Sequence, residues 1–541
     1  MAEEFTPQER AALAPYVTNL DGPVFALVNL PEVVKGALFA RYTRSLKSLR
    51  RLFLDEFLGA GGLTAGAGRG PIDADAGTRR AEQLYERVFV EYGDDSVAQL
   101  GGVHLACEGA SNLLTKMLEW GRLMSYLEQS TRYIPYDDRP HGAYRYHVPA
   151  ELAGKLRERY VATLDRSFDV YRAWLAQLRA FFERKFPRDP AESESVYRMT
   201  IRAKALDTLR GLLPAATTSN VGIYGTGQGY EQLLLRMRAH ALREVRDYAD
   251  LMLLELRKVI PAFLKRVDIA ERGGAWSAYL EETRRETREI ARRLVEPQSA
   301  VASAEGVVAA EAQDVGLTDF DPDGELKVVA AALYAVSSRS DAELLEAARR
   351  MTRDERAAVL AAYVGKRLNR RHRPGRAFER TSYRFDVLGD YGAFRDLQRH
   401  RLLTLEWQRL TPRHGHVVPD AIAEAGASDE WRRVMDESAQ LHDAIEAAGL
   451  PEVASYAVAM AYRVRFYMEM NAREAMHVIE LRTAPQGHPA YRRICQAMHR
   501  LIGERHPAIA DAMTFADHSA VELERLEAER AAERRRTASP S

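Results

Sequence analysis

At 541 residues the chain exceeds what one core ordinarily organises, so two or more domains are expected. Hydrophobic residues at 46% and charged residues at 28% give an ordinary globular balance. Lys+Arg and Asp+Glu are both 77, so the net charge is zero and gives no argument for broad nucleic-acid affinity; acidic residues interleave the arginines and no aromatic-basic face stands out, so no nucleic-acid partner is expected, and any basic site must be a local arginine cluster.

In chain order, the N-terminus MAEEFTPQERAAL is acidic and amphipathic and lacks the apolar centre of a signal peptide. No apolar run reaches the ~20 residues needed to span a bilayer, so a soluble, cytoplasmic protein with no membrane partner is expected. Val24-Phe25-Ala26-Leu27-Val28 reads as a short strand. The glycine-rich GAGGLTAGAGRGP at 59–71 has no preceding strand and no Lys-Ser/Thr ending, so it reads as a surface loop rather than a phosphate cradle. Cys107 and Cys495 lie far apart in apolar helical patterns and imply buried thiols, with neither a disulfide nor a metal site.

Three- and four-residue apolar spacing predicts helices over 157–185, 229–265, 339–365, 428–447 and 488–505. Lys327-Val328-Val329-Ala330-Ala331 and Tyr383-Arg384-Phe385-Asp386-Val387 read as further strands. The fold class is therefore helix-rich α+β with small mixed sheets. The small-residue, acidic stretch 297–325 predicts a linker between an N-terminal lobe, 1–296, and a C-terminal lobe, 326–522. Residues 523–541 read as a charged helix fraying into disorder. Each lobe opens with a strand and a helix carrying Arg-Ser (ARYTRS at 40–45, VSSRSD at 336–341), which predicts a tandem duplication.

The sharpest cluster is Gln398-Arg399-His400-Arg401-Leu402-Leu403-Thr404, following the helical run GDYGAFRDL. Guanidinium forks at a helix end suit phosphate or carboxylate. RHRLLT resembles the first half of RHRxxSxNxxSxRY, the signature of flavin-dependent thymidylate synthases, with Thr404 for Ser. The second half fails: Glu406, Arg409 and Thr411 stand where Asn, Ser and Arg belong. The N-terminal lobe is the mirror image. There WGRLMSYLEQSTRY at 120–133 keeps Ser125, Glu128, Ser130, Arg132 and Tyr133 but, of the RHR group, only Arg122.

NAREAMHVIELR at 471–482 resembles the family's NxRxxxxxxxLR motif, and GTGQGYEQLLLRMR at 225–238 keeps only Arg238 of it. ALDTLRGLLP resembles the family's ARxxLP segment, with Arg210 in place and Ser455 at the matching position of the second lobe. RPGRAFE at 373–379 is a worn HxSPxEH segment retaining Glu379, and GDDSVAQL at 93–100 is its weaker N-terminal version.

The resemblance implies that Arg399, His400 and Arg401 carry catalysis and contact FAD, joined by Glu379, Asn471, Arg473 and His477. It implies that Glu128, Ser130, Arg132, Arg210, Arg238 and Arg482 bind dUMP. It further implies transfer of a methylene group from methylenetetrahydrofolate, NADPH-reduced FAD as hydride source, and a homodimer acting as a pseudo-tetramer. No metal is expected: His414 and His416 lack a third ligand at usable spacing. Two alternatives stay open, a diverged flavin- or nucleotide-binding homologue without synthase activity and a non-catalytic scaffold.

Overall fold

The computed structural model describes residues 4–22, 25–42, 47–58, 99–295 and 314–538. The glycine-rich loop at 59–71, nearly all of GDDSVAQL and most of the expected linker lie outside the described residues.

The chain is helix-rich with two small sheets. In chain order the strands are β1 (Gly102–Ser111), β2 (Met124–Glu128), β3 (Thr218–Thr226), β4 (Val315–Phe320), β5 (Ser382–Asp390), β6 (Thr404–Trp407) and β7 (Arg463–Asn471). One sheet has the order β1-β3-β2 and the other β4-β5-β7-β6. The β2–β3, β4–β5, β5–β7 and β6–β7 pairings are all antiparallel, where mixed sheets were expected.

The duplication is visible element by element. The last three strands of the second sheet repeat the order of the first. The Asn112–Leu118 helix follows β1 as Tyr391–Leu397 follows β5, and short turns at Arg210–Leu212 and Ser455–Ala457 precede β3 and β7. Each late strand then runs into a helix, Gly227–Arg238 or Ala472–Arg482.

Two of the expected strands differ. Lys327–Ala331 lies inside the Gly324–Tyr334 helix, because an alanine-rich run after an Asp-Gly start extends a helix as readily as a strand. The strand before it is VGLTDF, taken from the stretch read as linker. Near Val24–Val28 the described residues hold one isolated bridge, Val17 with Leu27. The tail is helical over Leu526–Ala538, and Glu533 accepts from Ser193 at 2.5 Å. Both cysteines are free and buried, and burial pushes each thiol up to about 12.

By contacts the chain divides differently from its sequence halves. Of the described residues, one unit gathers those within 1–108, 117–128 and 220–305; the other gathers those within 109–116, 129–219 and 306–541. In the second unit one hydrophobic core runs from Tyr136 and Phe168 through Tyr391 and Phe466 to Met513. Residues of the two repeats pair there by backbone. Met460 and Ala461 donate N–H to the carbonyls of Leu213 and Gly211, while Ala215 and Ala216 donate to Val458 and Tyr456. A swap of Leu213 or Val458, both fully buried, for a polar residue would break this seam.

Candidate functional site

The second unit brings together arginines that are far apart in sequence. The Tyr391–Leu397 helix is capped at its start by Asp390, whose side chain accepts from Ala393 N–H, and it carries Asp396 near its end. Asp396 accepts from Arg399 at 2.6 Å and from Arg210 at 3.4 Å, with Arg482 at 3.9 Å. Burial would raise this carboxyl, but the fields of Arg399, Arg210 and Arg482 outweigh it and hold Asp396 well below the usual carboxylate range.

Beside it, Arg132 grips Asp207 bidentately, Nε to one oxygen at 2.7 Å and Nη2 to the other at 2.6 Å. Both groups are buried. Burial opposes both charges, yet each partner's field wins, keeping Arg132 more basic and Asp207 more acidic than usual. Arg132 also donates to the Tyr491 hydroxyl at 3.1 Å, and Arg482 lies over the Tyr491 ring at 5.4 Å. Four guanidiniums (Arg132, Arg210, Arg399, Arg482) face the carboxyl groups of Asp207, Asp396 and, beside Arg210, Asp390, so positive charge is in surplus in a largely buried setting from which Arg399 reaches solvent.

A second cluster adjoins through His400. Arg482 donates Nε–H to His400 Nε2 at 2.9 Å, and Nδ1 stands 3.7 Å from Glu474. Burial, then the charge of Arg482, keeps His400 neutral well below its ordinary value. Burial pushes Glu474 up to about 7, against the pull of Arg373, Arg473 and Arg401. His477, packed edge-on against His400, is pushed down to about 4 by burial and by Arg373, which reaches its ring at 3.0 Å.

His400, Glu474 and His477 offer ligand atoms within 4.8 Å of one another, as a cation site would. Arg373, Arg473, Arg401 and Arg482 around them oppose a cation; the donors suit an anion instead. His442, Asp443 and Glu446 form a similar group on one helix, but Arg409 and Arg413 both hold Glu446.

The remaining site candidates fall into place unequally. Asn471 spends its side chain capping the Ala472–Arg482 helix, accepting from Glu474 N–H at 2.9 Å. Arg473 donates to Pro374 O at 2.9 Å and pairs with Glu379 at 3.4 Å; Glu379 also holds Arg376. Arg401 is exposed. Ser130 accepts from Arg132 N–H at 3.2 Å, so its hydroxyl shapes the turn that presents Arg132. Glu128 and Arg238 belong to the first unit, where Glu128 ends β2 opposite Val221 and Arg238 pairs with Asp250. Sequence reasoning missed Asp207, Asp396, Glu474 and Tyr491. Asp207, Asp396 and Glu474 stood inside quoted strings, ALDTLRGLLP, GDYGAFRDL and NAREAMHVIELR.

Fold and site together define a tandem-repeat protein with a buried, cation-rich centre built from both repeats. The family described as thymidylate synthase complementing protein, Thy1, matches residues 63–262 and 316–508, and the chain belongs to that thymidylate synthase-like family. A UPF0159 protein of Chlamydia muridarum is 39% identical over 530 residues, 97% of this chain and 98% of its own. A UPF0159 protein of Thermoplasma acidophilum is 30% identical over 92% of this chain and 97% of its own. A flavin-dependent thymidylate synthase of a Mycobacterium species is 30% identical over 34% of this chain and 70% of its own. Among solved structures, a UMP/dUMP methylase PolB from Streptomyces cacaoi, bound with 5-Br dUMP, matches 37% of this chain and 93% of its own, at 19% identity and a TM-score of 0.30.

Proposed function

We propose that the protein is a flavin-dependent thymidylate synthase, converting dUMP to dTMP at a site made from both repeats of one chain. The observation that carries this reading is the meeting of Arg132 and Arg210 from the N-terminal repeat with Arg399, His400 and Arg482 from the C-terminal repeat, around Asp396 and Asp207. The surplus of positive charge suits the dianionic phosphate of a nucleoside monophosphate. Arg132 and Arg482 would bind it, and Arg210 would face the uracil.

The donor set around His400 fits FAD: guanidiniums and neutral imidazoles offer N–H groups to a diphosphate. Arg399, His400, Arg401, Arg473 and His477 would hold it, with Glu379 and Asn471 fixing Arg473 and the helix start. When bound, FAD reduced by NADPH supplies hydride, and methylenetetrahydrofolate supplies the carbon. The chain's own part is to bind, orient and exclude water. His400 keeps its proton on Nδ1 because Nε2 accepts from Arg482, and Glu474 can hold a proton near neutral pH. Two chains would pair as a pseudo-tetramer in the cytoplasm.

One observation favours a second reading, a nucleotide-binding homologue without synthase activity. Asp207 already fills both arms of the Arg132 fork, so a phosphate must share it. Purified protein given dUMP, methylenetetrahydrofolate, FAD and NADPH under low oxygen decides between them. dTMP dependent on all four is the expected result; no product from protein that retains yellow FAD supports the second reading.

A further inference from the structure

The turn between the Ala472–Arg482 and Pro489–Arg505 helices meets the Arg132–Asp207 pair from the C-terminal repeat. The Gln486 carbonyl accepts from Arg132 Nη2 at 3.5 Å and the Tyr491 hydroxyl accepts from Nη1 at 3.1 Å; His488 lies between the two in sequence. Its neighbours fix its place. A Cβ at Gly487 would lie 2.9 Å from Ala484 O and 3.0 Å from Arg482 O, so only glycine fits this turn. Pro489 biases the residue before it to extended backbone, and His488 sits at φ −66°, ψ 136°. There it caps the Pro489–Arg505 helix, with Nδ1 accepting from Ala490 N–H at 3.2 Å.

With Nδ1 accepting, the proton of the neutral ring sits on Nε2. Burial, and next the charge of Arg210, hold the ring well below the usual histidine value, against the weaker pull of Asp207 and Asp396, so it stays neutral. Nε2 makes no hydrogen bond among the described residues. Unlike Arg210 Nη2, which is sealed from solvent, it keeps accessible surface. His488 lines a cavity of about 410 Å³ beside Asp207, Thr208 and Arg210. Both oxygens of Asp207 are already taken by Arg132, so the wall presents a fixed N–H donor that no protein group uses.

We infer that His488 is a specificity-determining residue of the proposed nucleotide site, its Nε2–H donating to a ring carbonyl of the pyrimidine and so selecting uracil over cytosine. This rests on the synthase reading, in which Arg210 faces the base. Uracil presents a carbonyl oxygen at C4, where cytosine presents an amino group. Donor against donor leaves both N–H groups unpaired, and a site built to pair with one such edge rejects the other. Because Nδ1 must stay an acceptor for Ala490, Nε2 cannot become one.

Two substitutions separate the donor from the cap. His488→Asn puts an amide oxygen where Nδ1 accepts, keeping the cap, and is too short to carry an N–H to the Nε2 position. His488→Gln reaches that position and gives up the cap. Calorimetric titration of the full chain with dUMP and with dCMP should show the wild type binding dUMP at least about tenfold more tightly. His488→Asn should melt at the wild-type temperature and lose most of that preference, through weaker dUMP binding. His488→Gln should melt lower and retain it. No preference in the wild type, or a preference unchanged in His488→Asn, would overturn this inference while leaving nucleotide binding in place. Wild-type protein that binds neither nucleotide would overturn the synthase reading itself, and this inference with it.

Discussion

Arg482 donates through Nε to His400 Nε2 at 2.9 Å, and this one hydrogen bond determines the imidazole's tautomer. With Nε2 accepting, the proton sits on Nδ1, toward Glu474. Burial and the Arg482 charge keep the ring neutral well below its ordinary value. Nitrogen-edited NMR of the labelled protein at pH 6 should therefore show the Nδ1–H neutral tautomer for His400. An imidazolium spectrum at that pH would sink this account of the site. Arg482→Met should let the ring titrate closer to its usual value.

Glu474 gives a stability prediction with a defined sign. Its carboxyl is pushed up to about 7 by burial, so the folded state binds the proton more tightly than the unfolded chain. That contribution is fully present below about pH 4.5 and is lost as pH rises through about 7. Glu474→Gln mimics the protonated form, so relative to wild type it should gain stability between pH 5 and pH 8. Urea melts at the two pH values measure this; a difference that stays constant would rule it out.

The buried Arg132–Asp207 pair should behave as a unit. Removing one partner leaves a desolvated charge, so Asp207→Asn or Arg132→Ala should each cost ~3–5 kcal/mol, while Arg132→Met/Asp207→Leu should cost less than the two singles together. Chemical denaturation of the four proteins closes the cycle. Additive losses would mean that Asp207 is not what holds Arg132 in place.

Much of this was legible before any coordinates. Helices at 157–185, 428–447 and 488–505 appear within three residues of their expected bounds, because long amphipathic periods leave little choice. The resemblance to the family was carried by RHRLLT, NAREAMHVIELR and, in the other lobe, SYLEQSTRY, all local strings, and the family match bears it out. The carboxylates were not legible. Asp396 meets Arg210 across 186 residues and Asp207 meets Arg132 across 75, and no local pattern encodes pairing at that range. The interleaved units escaped notice for a related reason. Residues 129–219 bury their apolar faces against 314–538, a choice set by the partner surface rather than by their own spacing.

If the site is composite, single losses should separate its two functions. Arg399→Ala should abolish turnover and weaken FAD retention, whereas Arg132→Ala should abolish turnover through loss of dUMP binding while keeping the yellow colour. Arg132 and Arg399 approach one carboxylate network within one unit. Mixing the two inactive variants should therefore restore nothing. Recovered activity in mixed dimers would mean that the site crosses chains, and full activity in either single variant would end the composite reading.

The C-terminal segment gives the last prediction. Lys204 pairs with Glu524 at 2.6 Å, Arg525 stacks over the Tyr133 ring at 3.9 Å, and Arg530 pairs with Glu192. Tyr133 directly follows Arg132 and is largely exposed, so a cation–π contact of ~0.5–1 kcal/mol adds to the Ser130 hydrogen bonds and the Asp207 grip that already restrain that turn. Lys204 and Glu192 lie in and just before the Glu194–Leu209 helix, which also carries Asp207. The segment thus braces both sides of the Arg132–Asp207 pair. Arg525→Ala should raise amide exchange over residues 129–135 several-fold, leave β7 protected, and weaken dUMP binding more than FAD binding. Hydrogen-exchange mass spectrometry reads the first two effects in one experiment. Unchanged exchange at 129–135 would reduce the tail to a surface helix with no hold on the site.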